Sequence, residues 1–182
     1  MPINPLHMLK LVECPRDAMQ GLHDFIPTET KIAYLNSLLK VGFDTIDFGS
    51  FVSPKAIPQL RDTAEVLAQL DLSSTQSKLL AIVANTRGAA DAVAFDEITY
   101  LGFPFSISPT FQQRNTNSSI AESLKRVEEI QDLCRQKNKT LLVYISMAFG
   151  NPYGDLWNPD IAIHWCKQLE ARGITHLALA DT

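Results

Sequence analysis

With 182 residues, 46% of them hydrophobic and 20% charged, the chain has material for one substantial soluble domain that buries about two-thirds of its unfolded surface. A formal charge of −4, a pI near 5.5 and no basic cluster leave no electrostatic footprint for nucleic acid or an anionic membrane. The three cysteines are scattered, the amino terminus MPINPLHMLK lacks the apolar core of a secretory signal, and no run reaches the roughly 18–20 apolar residues of a membrane span, so a cytoplasmic protein with reduced thiols is expected.

Residues 1–8 read as a lead-in. The first strand is expected at Leu9–Cys14, short, largely apolar and buried along its length, and stopped by Pro15. After a loop over 16–28, Ile32, Leu35, Leu38 and Leu39 mark a helix that Thr28 or Thr30 caps and Gly42 ends. Phe43–Phe48 is the second strand, followed by Gly49 and the loop SFVSPKAIPQ. A helix is predicted over 60–70, with Leu60, Ala64, Leu67 and Ala68 on one side. Lys78–Ala84 is the third strand, nearly all apolar, and Thr86–Phe95 a short helix. Glu97–Phe103 is the fourth strand, leading into a polar loop, SPTFQQRNTN. Ser119 and Glu122 form a capping box ahead of the stripe Ile120, Leu124, Val127, Ile130 and Leu133. Thr140–Met147 is the fifth strand. Asn158-Pro159 opens a helix carrying Ile161, Trp165 and Leu169, Gly173 closes it, and Ile174–Ala180 is the sixth strand.

Six strands alternating with five helical stretches mean repeated βα units and a parallel sheet. The glycine patterns of the phosphate loop and of dinucleotide folds are both absent, which disfavours an open doubly wound sheet. The fold class expected is therefore α/β, a (β/α)8 barrel of which this chain carries about the first six units. Residues 1–182 are then a single catalytic barrel domain, interrupted after its sixth strand at Asp181-Thr182.

Chemistry in such folds collects at the carboxyl ends of the strands. Those ends carry Arg16, Asp17 and Gln20, then Asp47 and Ser50, Asn85, Tyr144 and Ser146, and finally Asp181 and Thr182. Three carboxylates and an arginine on one rim point to a divalent cation held through oxygen; the bland alternative is that Asp47 and Asp181 cap the helices that follow.

ECPRDAMQ followed by DFGSFVSPKAIPQ resembles the hydroxymethylglutaryl-CoA lyase family, part of a metal-dependent superfamily that also contains isopropylmalate, homocitrate and citramalate synthases. RNTNSSIAES at 114–123, NPY at 151–153 and ADT at 180–182 extend the likeness, and the SFVSPK loop (Ser50–Lys55) sets it closer to the lyase than to the synthases. The resemblance implies cleavage of 3-hydroxy-3-methylglutaryl-CoA, or a similar 3-hydroxyacyl-CoA, to acetyl-CoA and acetoacetate with Mg²⁺ or Mn²⁺. It implies Asp17 as metal ligand and Arg16 as the cation that meets the enolate oxygen. Asp47 and Asp181 would organise the metal and the 3-hydroxyl region. Gln20, Ser50, Tyr144 and Thr182 would lie on the substrate side, and Asn115 and Asn117 near the CoA moiety. The partner implied is an acyl-CoA thioester, with neither nucleic acid nor membrane, and a homodimer is the assembly to test for.

The family's Arg-Asp-Gly-Leu-Gln reads Arg-Asp-Ala-Met-Gln here, its acid after the second strand is Asp47 in place of Glu, its strand-5 arginine is Leu142, and its Cys-Pro-Tyr is Asn151-Pro152-Tyr153. The family's His-x-His metal ligands and its loop cysteine have no counterpart in this chain. His7, His23, His164 and His176 do not replace them, and Cys14, expected to be buried and inert, does not replace the cysteine. A synthase of the same superfamily and a non-catalytic barrel relative are the alternative readings.

Overall fold

Prolines and short polar residues punctuate this chain, and each helix among the described residues begins at one or the other. The computed structural model describes residues 9–182; the lead-in at 1–8, with His7, lies outside the described residues. The elements run β1 (Val12–Glu13), α1 (Pro15–Gln20), α2 (Thr28–Leu38), β2 (Thr45–Ser50), a 3-10 turn (Pro58–Leu60), α3 (Thr63–Leu67), β3 (Lys78–Ile82), α4 (Thr86–Ala92), β4 (Ile98–Ser106), α5 (Pro109–Thr116), α6 (Ile120–Gln136), β5 (Thr140–Ser146), α7 (Pro159–Glu170) and β6 (His176–Ala180). The chain divides within β3 into two compact units, one ending at Leu80 and the other running from Ala81 to Thr182. No helix among the described residues is long and apolar enough to cross a membrane.

In the first unit β1 pairs in parallel with β2, Val12 opposite Thr45 and Glu13 opposite Ile46. β3 lies on the other side of β2, where the Lys78 N–H donates to the Asp44 carbonyl at 2.9 Å. Parallel neighbours need crossovers, which is why helices separate the strands. Every residue of β2 is buried, including Asp47. A polar cluster lies beside this core. Lys31, only 2% exposed, donates to Asp62 Oδ1 at 2.7 Å and to the Gln59 carbonyl, while Thr28 donates to Asp62 Oδ2 at 2.9 Å. The ring of Phe25 lies 4.1 Å from the Lys31 ammonium and 3.6 Å from the Arg61 guanidinium. A buried charge is tolerated here because it is paired with Asp62 and also bonded to the Gln59 carbonyl.

In the second unit the Val83 N–H donates to the Gly102 carbonyl, joining β3 to β4. β4 pairs with β5 from Tyr100–Thr140 to Ser106–Ser146, and β5 with β6 from Leu142–His176 to Ser146–Ala180. Leu101, Phe103, Phe105, Leu141, Val143 and Ile145 are buried along the strands, as are Val127 and Ile130 of α6. Asn85, Ser108, Ser119 and Asn158 cap α4, α5, α6 and α7 through their side chains, and the Ser119–Glu122 capping box is present in both directions.

Several sequence expectations need correcting. The loop expected after the first strand begins with a helix, α1, and the polar loop after the fourth strand contains α5. Both open with Pro at the first helical position, where its missing N–H costs nothing. The helix expected over 60–70 is a 3-10 turn followed by α3, and its inward residues are Leu60, Thr63, Val66 and Leu67, while Ala64 and Ala68 are exposed. The first strand shrinks to two residues, with Leu11 and Val12 exposed, because β1 has a strand neighbour on one side only among the described residues. Cys14 is exposed as well, not buried. β4 continues through Pro104 to Ser106. The Gly102 carbonyl faces β3, and so would an N–H at 104; proline cannot supply one, and the β3 ladder stops at Val83.

Gly49 shows how closely β2 approaches α3. A Cβ there would lie 2.5 Å from Thr63 Cγ2, and the Thr63 hydroxyl is already fixed, accepting the Ser50 N–H at 3.1 Å and donating to the Leu60 carbonyl at 2.8 Å. Gly49→Ala is expected to cost about 1–3 kcal/mol by overpacking. Gly21→Ala, with nothing within 4 Å of the added carbon, should stay within about 0.5 kcal/mol. Urea denaturation of the two variants checks the contrast.

Candidate active site

The residues after β1 are placed by one and a half turns of helix. The Cys14 carbonyl accepts the N–H groups of Asp17 and Ala18, and Pro15 opens α1. Ala18 therefore sits in helical backbone, where alanine outperforms glycine, so the departure from Arg-Asp-Gly costs this turn nothing. Helical spacing puts Gln20 one turn above Arg16.

Arg16 organises what surrounds it. Its Nε donates to both Asp47 oxygens, at 3.2 and 3.0 Å, and Nη2 donates to Asp47 Oδ2 at 2.7 Å. Nη1 donates to Asp17 Oδ1 at 3.0 Å and to Gln20 Oε1 at 2.8 Å. Exposure sorts these partners: the Asp47 side chain is 0% exposed, Arg16 11% and Asp17 71%. A cation near a helix N-terminus opposes the helix dipole, and Asp47 supplies the compensating charge from the neighbouring strand. Asp47 lies inside β2 and caps no helix.

The electrostatics are a contest. Burial pushes the Asp47 carboxyl up to about 6 from an ordinary 3.8, overriding the Arg16 hydrogen bonds and charge that pull it down; Asp17 adds a smaller push upward. At neutral pH Asp47 is still mostly ionised and anchors the guanidinium. Burial, then the Asp47 carboxylate, raises the Cys14 thiol, so this cysteine is a protonated thiol and a poor nucleophile although the residue is exposed. Cys134, buried in α6, is pushed up to about 11, again by burial.

The first unit thus brings together Arg16, Asp17, Gln20 and Asp47. Ser50, at the end of β2, is buried, donates its N–H to Thr63 and accepts the Val52 N–H on its hydroxyl at 3.2 Å. In the second unit Tyr144 is half-buried on β5, in register with Pro104 and Ala178, and Asp181 and Thr182 are exposed beyond β6. Asn115 and Asn117 belong to the end of α5. Asn117 takes the left-handed conformation (φ 49°) and accepts a hydrogen bond from Gln113 at 2.9 Å. That end is held from inside by Gln112, which accepts the Ser106 N–H at 2.7 Å and donates to Thr116 and Ser118. On the same unit Asp155 accepts from Ser108 and Thr110 at the start of α5, and these bonds lower its carboxyl below the usual range.

Among the described residues no three His, Cys, Asp or Glu side chains converge into a group that could hold a metal. Asp17 offers one accessible carboxylate, and Asp47 is committed to Arg16. A hard divalent cation takes about six oxygen ligands, so the described donor set gives a cation a foothold and does not complete its site.

The pH behaviour of the pair is testable on this chain. A carboxyl near 6 when folded and near 3.8 when unfolded binds its proton more tightly in the folded state. Its contribution to stability is full below about 3.8 and is lost as pH rises through 6, an amount on the order of 3 kcal/mol. Denaturation free energies of the native sequence minus those of Asp47→Asn should therefore fall between pH 3.5 and pH 7, by roughly that amount.

Comparison with known proteins covers nearly the whole chain. The HMGL-like family model matches residues 10–182. A cytoplasmic 3-hydroxy-3-methylglutaryl-CoA lyase of Rattus norvegicus is 33% identical over 96% of this chain and 50% of its own length. The crystal structure of a Bacillus subtilis HMG-CoA lyase matches with a TM-score of 0.89 at 33% identity, covering 95% of this chain and 58% of that one. An Acinetobacter baumannii HMG-CoA lyase in complex with coenzyme A and 3-methylmalate matches with a TM-score of 0.89 at 31% identity, covering 96% of this chain and 57% of that one. The chain spans about half the length of the curated relatives it matches. These matches bear out the barrel class read from the sequence, with part of the barrel present. The parallel βα units, the Arg-Asp turn after the first strand and the match over residues 10–182 together show that the chain belongs to the HMGL-like family.

Proposed function

We propose that the complete enzyme is a carbon–carbon lyase that cleaves 3-hydroxy-3-methylglutaryl-CoA, or a similar 3-hydroxyacyl-CoA, to acetyl-CoA and acetoacetate or the corresponding carbonyl product. The observation that carries this reading is the Arg16 guanidinium, fixed on one edge by a wholly buried carboxylate and on the other by two exposed acceptors. A site that breaks the carbon–carbon bond next to a thioester carbonyl needs such a fixed cation. As the bond between C2 and C3 breaks, its electron pair moves onto C2 and the thioester carbonyl, giving an enolate whose oxygen needs a preorganised positive charge. The 3-hydroxyl gives up its proton and becomes the ketone, and a proton delivered to C2 completes the acetyl group.

Asp47 holds the plane of the guanidinium through Nε and Nη2. Asp17 and Gln20, on the Nη1 edge, are the partners that a substrate oxygen can replace. A planar, permanently charged fork can keep both relationships at once, which lysine cannot.

Enzymes of this family are generally dependent on a divalent metal. Mg²⁺ or Mn²⁺ is the cofactor this reading carries; when bound it would polarise the 3-hydroxyl oxygen, and Asp17 would offer it a ligand. Asp181 and Thr182, at the end of β6, and Asn115 and Asn117, at the end of α5, are the second unit's candidates for the 3-hydroxyl and CoA portions of the substrate.

With Mg²⁺ or Mn²⁺ present, Arg16→Ala in the complete enzyme should lower acetoacetate release by about 100- to 1,000-fold or more. Arg16→Lys should also be strongly impaired, because an ammonium cannot hold Asp47 and the substrate oxygen in one plane. Unchanged turnover in Arg16→Ala overturns the reading. Thiol release from acetyl-CoA and a 2-oxo acid, with no cleavage of the hydroxyacyl thioester, would replace it with a synthase.

A further inference from the structure

Between Gln20 and α2 the chain passes through residues 21–27, GLHDFIP, without regular structure. The Leu22 N–H bonds back to Met19, and the next backbone-to-backbone bonds are those of Thr30 and Lys31 to the Pro27 carbonyl. The Phe25 ring packs against Lys31 and Arg61, and the backbone between those bonds is held by one side chain from elsewhere. The Gln59 amide donates from Nε2 to the carbonyls of Asp24 (2.8 Å) and Leu22 (3.2 Å), and its Oε1 accepts the Ile26 N–H at 2.9 Å. Both donors and the acceptor of the amide are therefore used. The residue is 4% exposed, and its own carbonyl accepts from the buried Lys31, itself paired with Asp62. Gln59 acts as a substitute strand of backbone for a segment that has none.

That segment hangs directly from α1, a helix of six residues too short to hold its own last turn. Gln20, the final residue of α1, accepts from Arg16 and lines the same small hollow as Gln59. We propose that Gln59 is a positioning residue for Arg16: by fixing residues 22–26 it fixes the carboxyl-terminal turn of α1, and with it Gln20 and the short helix from which Arg16 reaches Asp47. Its part in catalysis rests on the reading of Arg16 given above; its effect on the Arg16 side chain does not.

The test reads Arg16 directly. In the ¹⁵N-labelled chain at pH 7.5, the Arg16 Nε–H resonance, identified by its disappearance in Arg16→Lys, should be sharp and slow to exchange because Asp47 accepts it. Gln59→Glu, isosteric but without the two N–H donors, and Gln59→Met, apolar and of similar length, should speed that exchange at least about tenfold and broaden the line. Leu35→Ala, which removes a buried α2 side chain and so destabilises the fold without touching the amide, should leave the resonance sharp. If either Gln59 variant fails to fold, Gln59→Asn, which keeps the amide but draws it back by one methylene, should show the same acceleration. Native exchange in the folded Gln59 variants, or equal acceleration in Leu35→Ala, overturns the proposal. An Arg16 that responds as expected in a complete enzyme that cleaves no hydroxyacyl thioester would leave this inference standing and remove the lyase reading.

Discussion

The ion pair between Arg16 and Asp47 is the constraint from which the rest of the first unit follows. A carboxylate with no exposure in the middle of a strand is costly, and its raised carboxyl shows that the cost is only partly offset. An apolar pair at these positions would be simpler for stability. What the charged pair provides instead is a guanidinium that cannot rotate: three of its contacts run to a carboxylate which itself cannot move, because β2 is buried over its whole length. Fixed charge aimed at one place is what separates a site that stabilises a developing oxyanion from a surface arginine that merely visits it.

The support of that pair is layered. α1 brings Arg16 to Asp47, the loop after α1 depends on the Gln59 amide, and Gln59 in turn sits against the Lys31–Asp62 pair. Each step exchanges a solvent-exposed or unstructured group for one that is buried and fully bonded. None of the buried side-chain polar atoms among the described residues lacks a partner, which is how a core carrying this much charge stays well defined. The second unit uses the same logic with neutral groups, through Gln112 and the serines and threonine around it.

Much of this was legible in the sequence, for identifiable reasons. The strands β2 to β6 and the helices α6 and α7 announced themselves through apolar runs, the Ser119–Glu122 box and Asn158-Pro159, all of which act locally. α1 and α5 were missed because each is short and polar, although the Ser108-Pro109 and Cys14-Pro15 junctions carried a start signal. The Arg16–Asp47 bond was not legible: the two residues are 31 apart, Arg16 was read as facing the enolate oxygen and Asp47 the metal, and only the folded chain shows them facing each other. Gln59 was visible only as a letter of a motif. Its value depends on burial and on three backbone groups that no periodicity reveals.

The sequential order of the strands has a consequence in time. Each strand pairs with the one that precedes it in the chain, so every sheet contact closes a single βα crossover and none waits for a more distant strand. The contacts that orient Arg16 come from residues 16–62, all within the first unit. On a ribosome, where amino-terminal segments fold first, the guanidinium can be seated on its carboxylate while the later strands are still being made. The fixed charge of Arg16 is then among the earliest features of the molecule to be set.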